Sequence, residues 1–254
     1  DCTKIIETEI MKKTFLTLIV VFFFLFIFIN GSGQIQHDFI CIDNFKENYL
    51  IRVSELNPNN CWVTEIPKGS RDLQLLSENE LLVSHGNGAA IYNLETGKKI
   101  KLITDKYAKI QSAQFHKDGF YYLLTIDGKI VKLDKYGNEI DQFKIKRDLD
   151  LRLLRFTEKG DFLISCKKPM AVMIVDSKGN VIKEISMLDK GYKTLQLPNG
   201  NFLNTAGDEV KVVEHTSKGE IVRFVGGIEE HKSLKLDYAS GWDLLPNGNI
   251  VLCN

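Results

Sequence analysis

The hexapeptide LPNGNF at 197–202 recurs at 245–250 as LPNGNI. An apolar anchor, four turn residues and a second apolar residue form one punctuation unit, and its Gly supplies the positive φ that a tight hairpin turn requires. The same unit, with other turn residues, stands at Leu76-SENE-Leu81 and Phe115-HKDG-Phe120, and with one extra residue at Phe156-TEKGD-Phe162. The anchors at 76, 115, 156, 197 and 245 are 39, 41, 41 and 48 residues apart.

A second turn alternates with the first and centres on Gly97, Gly137, Gly179 and Gly219, which are 40, 42 and 40 residues apart. Between the turns lie short runs of alternating β-branched and polar residues, such as KIVKLD at 129–134 and EVKVVE at 209–214. Period-2 alternation argues for strands. Each unit then reads as strand a, hairpin turn, strand b, loop, strand c, glycine turn, strand d. In the third unit these are expected at 110–115, 120–125, 129–134 and 139–145. Four strands per ~40 residues are the blade of a β-propeller. The fold class expected is all-β, a propeller of four-stranded antiparallel blades.

Residues 38–43, 48–53 and 61–66 read as strands b, c and d of a first blade without strand a. Four complete blades follow from 71 to 225, and a sixth begins at 238 and stops after its strand b. A domain over 37–254 is therefore expected to be an incomplete propeller. Six blades would take ~30 further residues and seven roughly 70.

The start of the chain has a different character. Met11-Lys12-Lys13 precedes an apolar run from Phe15 to Ile29, and small residues follow at Gly31-Ser32-Gly33. This reads as an N-terminal signal helix over 11–33, cleaved after Gly33 or retained as an anchor. The run is 15 residues, short of the ~20 of a membrane span. Residues 1–10 read as upstream sequence outside the mature protein. The expected location is periplasmic, secreted or on the cell surface, with membrane contact only through the signal segment.

Thirty-three basic and 33 acidic residues leave no net charge, and so no electrostatic footprint for nucleic acid. The cysteines make no CxxC pair, and the twelve-residue calcium loop is absent, so no metal is expected. Cys41 and Cys61 are spaced to bridge in an oxidising compartment, or else serve as buried small hydrophobes.

The turns LPNGN at 197–201 and 245–249, with Asn93-Leu94-Glu95-Thr96-Gly97-Lys98, resemble those of quinoprotein-like (PQQ-like) and arylsulfotransferase-like bacterial propellers. The first resemblance implies a quinone held by blades of the pattern Ala-x-Asp-x-x-Thr-Gly-x-x-x-Trp. Ile91, Asn93, Thr96 and Gly97 occupy the early positions here, but Lys101 stands where the Trp would be, and neither Trp62 nor Trp242 fits. No cofactor is therefore expected. The second resemblance implies an acid–base His near the channel. His116 and His215 fall on the a–b and c–d turn face, whereas His85 in a b–c loop and His231 in the long connection 226–237 fall on the opposite face. His37 precedes the first strand.

Aligning the blades on their anchors gives the most site-like pattern. The position four before each anchor holds Asp72, Gln111, Arg152, Lys193 and Gly241, the last followed by Trp242 and Asp243. The pattern predicts a polar ring at the mouth of the central channel, able to bind a sugar, a small anion or a peptide loop, with Trp242 free to stack on a sugar face. The reading that follows is an exported, non-catalytic binding or scaffold module for a carbohydrate, small-molecule or protein ligand. The alternative is an enzyme of carbohydrates or sulfate esters using Arg152 and Lys193 for anion stabilisation and His231 or His85 as acid–base. A third reading is a structural platform for a further domain.

Overall fold

Strand formation follows the two turns closely. The computed structural model describes residues 37–44, 47–206, 211–225 and 240–253. The expected signal segment 11–33, residues 1–10, the connection 226–237 and His231 lie outside the described residues.

The first sheet holds β1 (Asp38–Asp43), β2 (Tyr49–Ser54) and β3 (Trp62–Glu65). The second holds β4 (Leu73–Leu75), β5 (Glu80–His85), β6 (Gly88–Asn93) and β7 (Lys99–Thr104). The third holds β8 (Ile110–Phe115), β9 (Tyr121–Thr125), β10 (Lys129–Leu133) and β11 (Glu139–Lys144). The fourth holds β12 (Asp150–Phe156), β13 (Phe162–Lys168), β14 (Ala171–Val175) and β15 (Val181–Ser186). The fifth holds β16 (Thr194–Gln196), β17 (Phe202–Ala206), β18 (Lys211–His215) and β19 (Ile221–Val225). A separate hairpin pairs β20 (Trp242–Leu244) with β21 (Ile250–Leu252). Every pairing is between sequence neighbours and antiparallel. The blade count differs from the six expected: the described residues form five blades, four of them four-stranded, and the two-stranded hairpin.

The turns hold by the chemistry their residues carry. Asp134 Oδ1 accepts from the backbone N–H groups of Tyr136 and Asn138, and Asp176 Oδ1 from those of Lys178 and Asn180. Short acceptors at such positions mimic a backbone turn. The glycine of this turn does a second job. At Gly97 (φ +67°) a Cβ would lie 2.6 Å from the Trp62 ring of the preceding blade. Trp62 Nε1 also donates to Leu94 O at 3.0 Å. Trp62 thus docks the first blade on the turn of the second, a role its position in the sequence did not disclose.

The core is a series of layers between blades. Tyr121 and Leu123 of β9 pack toward the second blade with Leu82, Ile91 and Ile103. Tyr122 and Leu124 of the same strand pack toward the fourth with Leu154, Phe162 and Met173. Alternating side chains on opposite faces of a strand explain this split. It also explains why β9, β14 and β17 are buried along their whole length, whereas the outer β11 is almost entirely exposed.

Candidate functional site

The inner strands differ in one respect that decides the site. β4 and β16 are three residues long and pair regularly with β5 and β17. Position four before the anchor then falls just ahead of the strand, at Asp72 and Lys193. β8 and β12 are longer and bulged. In β8, Ile110 faces Thr125 and Ser112 faces Leu124, leaving Gln111 as the extra residue. In β12, Leu151 faces Cys166 and Leu154 faces Ile164, so three steps on one strand answer two on the other. A bulge re-aims the side chains that follow it.

The consequence is a rearranged ring. Asp72, Lys193, Gly241, Trp242 and Asp243 line a cavity of about 520 Å³ between β1, β4 and the hairpin β20–β21, whereas Gln111 and Arg152 do not. Arg152 instead donates to Asp150 Oδ1 at 2.7 Å. Its place is taken by Arg155, three residues on, whose two terminal nitrogens reach Asp72 Oδ2 at 3.0 Å and Oδ1 at 2.8 Å. Asp72 has 1% of its side chain exposed and Arg155 12%. The Asp72 carboxylate also accepts from Ser112 Oγ, from Gln114 Nε2 at 3.0 Å and from the Leu73 N–H at 3.0 Å. One carboxylate on the second blade therefore ties together the third and fourth. Arg155 and Gln114 stand immediately before their anchors, and only the bulges bring them to Asp72.

Lys193 is the other pole. Its Nζ donates to Trp242 O and to Asp243 Oδ1, both at 2.8 Å, and lies 5.2 Å from the Trp242 ring centroid. These bonds use two of the three ammonium donors and leave one directed at neither. Burial pushes the Lys193 ammonium below its ordinary range, and the neighbouring Arg155 charge pushes it further, against the opposing pull of Asp243 and Asp72. Trp242 is 5% exposed and its Nε1 donates to Lys193 O at 3.2 Å. Its ring positions Lys193 and presents little face to a ligand, contrary to the expected stacking role. Asp243, with 71% of its side chain exposed, is the open acceptor at the mouth. Four cationic side chains, Arg52, Arg71, Arg155 and Lys193, border the cavity against three carboxylates, Asp38, Asp72 and Asp243.

The histidines stand elsewhere. His85 lies at the end of β5, paired with Gly88, rather than in a loop, and it does not line the cavity. Its Nε2 and that of His215 are buried without a hydrogen-bond partner. Burial lowers both imidazoles below their ordinary pKa. His116 sits 4.2 Å from the Phe156 ring and 3.2 Å from Asp118, in the turn layer. His37 contacts Glu55 at the surface. Cys41 carries a free thiol, so the Cys41–Cys61 bridge does not form. Among the described residues no cluster of three or more His, Cys, Asp or Glu side chains is placed to hold a metal ion.

No family model and no curated protein matches the chain. Solved structures do. A protein of unknown function from Bacteroides caccae superposes with a TM-score of 0.69 at 18% identity, over 86% of this chain and 82% of its own. The WD40 β-propeller domain of Doa1 gives 0.59 at 15% identity, over 84% and 73%. The fold is a β-propeller. A catalytically inactive virginiamycin B lyase from Staphylococcus aureus, solved with quinupristin, gives 0.53 at 11% identity, over 88% and 86%. At such identities the likeness extends to the fold alone.

Proposed function

We propose that this chain is an exported, non-catalytic propeller that binds an acidic carbohydrate, or a small molecule of the same carboxylate-and-hydroxyl chemistry, in the cavity beside Lys193. The observation that carries this reading is the placement of a buried ammonium, Lys193, beside a half-buried guanidinium, Arg155, on one wall of a cavity of about 520 Å³. Ligand sites are concave, with a few convergent polar groups. The spare Lys193 donor suits a carboxylate, and exposed Asp243 suits sugar hydroxyls. The surplus of cations over carboxylates around the rim favours an anion. The apolar signal-like segment at 15–29 supports export.

Binding is favoured over turnover because His85, the described acid–base candidate, lies off the cavity. The experiment is calorimetric titration of glucuronate and galacturonate oligomers, with neutral glucose oligomers as the comparison. Saturable heat for the acidic series supports the reading. Its absence, or equal heat for neutral and acidic series, contradicts it.

A further inference from the structure

The ring has one seam without the contacts that join its blades elsewhere. Apolar clusters join the first blade to the second, the second to the third, the third to the fourth and the fourth to the fifth. The hairpin β20–β21 joins the fifth blade through Trp242, Leu203 and Val212. Among the described residues no strand ladder and no apolar cluster links that hairpin to β1. The cavity opens along this seam, with β1 on one side and the hairpin on the other.

Two cysteines stand on the two sides. Cys41 is in the middle of β1, opposite Ile51. Cys253 follows β21, with its N–H donating to Gly241 O at 2.7 Å. A Cβ on Gly241 would lie 3.5 Å from Cys253 Sγ, so the thiol is seated over a glycine. Both cysteines are free and both line the cavity. They are also within electrostatic reach of one another: burial first, then Cys253, pushes the Cys41 thiol up to about 12.

We propose that Cys41 and Cys253 are a redox pair that closes this seam as an intramolecular disulfide. In an oxidising compartment a small disulfide oxidant such as oxidised glutathione supplies the chemistry. The more exposed thiol, Cys253, loses its proton and its thiolate attacks the oxidant. The oxidant S–S bond breaks, one thiolate leaves and takes up a proton, and a mixed disulfide forms on Cys253. Cys41 then loses its proton and attacks the Cys253 sulfur, releasing the second thiol. Two protein thiols are oxidised and one small disulfide is reduced to two thiols. The bond requires Cα atoms about 4.4–6.8 Å apart, so it holds β21 against β1 and narrows that side of the cavity.

The test uses the full chain. The protein is incubated with oxidised glutathione, trapped by alkylation, digested without reduction and mapped by mass spectrometry. The expected result is a peptide containing Cys41 joined to one containing Cys253, in a species that runs as a monomer, with loss of two hydrogens. Cys41→Ser and Cys253→Ser each abolish that joined peptide. The proposal is overturned if both thiols remain alkylatable, if the reaction stops at a glutathione adduct on Cys253, if either cysteine joins a different cysteine instead, or if the link joins two chains. The wild-type map alone decides among these.

Discussion

Arg155→Ala would take the paired guanidinium from the Asp72 carboxylate, 1% exposed, and leave Lys193 as the remaining cation in electrostatic reach. Removing one partner of a buried ion pair costs about 3–5 kcal/mol. Ser112, Gln114 and the Leu73 N–H still donate to Asp72, which places the expected loss at the lower end, about 3 kcal/mol. For a domain of this size that corresponds to a fall in Tm of roughly 6–12 °C. Arg152→Ala is the control. Its ion pair with Asp150 lies within one blade, with side-chain exposures of 18% and 36%, and such pairs contribute ~0–1 kcal/mol. Urea denaturation and calorimetry of both variants supply the assay, with an unchanged m value showing that stability alone has moved. The double variant Asp72→Asn/Arg155→Met should recover part of the loss, because no charge is then left alone. Equal midpoints for Arg155→Ala and Arg152→Ala would refute the reasoning, including the claim that the bulge in β12 decides which arginine reaches the centre.

Other consequences are open to measurement. Lys193 must be charged to hold an anion and its ammonium is depressed below the ordinary 10.5, so affinity for acidic sugars falls as pH rises through that lowered value; Lys193→Arg should carry binding to higher pH, measured by titration across the alkaline range. His85 and His215 are both held below the ordinary 6.5 by burial. The unfolded chain takes up protons there that the fold does not, so stability drops as pH falls from about 6.5 toward the lowered values; thermal melts of His85→Leu/His215→Leu should show a shallower acid decline. Gly97→Ala meets both a left-handed backbone and the Trp62 ring at 2.6 Å, whereas Gly119 (φ +88°) has nothing within 4 Å. The first should cost about 2–3 kcal/mol and the second about 1–2 kcal/mol, by chemical denaturation.

The architecture was legible because a propeller writes its period into its turns. The strands expected at 110–115, 120–125, 129–134 and 139–145 appear at Ile110–Phe115, Tyr121–Thr125, Lys129–Leu133 and Glu139–Lys144. The site was legible only where the inner strand is regular. Counting back from the anchors reaches Asp72, Lys193 and Gly241, and from there Trp242 and Asp243, all on the cavity. The same count fails at Gln111 and Arg152, because a bulge adds a residue that no turn motif announces. Arg155 and Gln114 were hidden for the same reason. The docking role of Trp62 was hidden for another: it contacts a turn 32 residues away, and a side chain that serves a neighbouring blade leaves no mark in its own repeat.

The central claim is that the Lys193 wall of the cavity binds an anionic ligand. Its most direct test is calorimetric titration of glucuronate and galacturonate oligomers into the wild type and into Lys193→Ala, at one pH and one ionic strength. A charge-assisted hydrogen bond contributes ~1.5–3 kcal/mol, so the account predicts saturable binding that weakens by about tenfold or more in the variant, measured below the variant's own melting transition. Wild-type binding that persists unchanged in Lys193→Ala would contradict it, as would no binding of any acidic oligomer to the wild type.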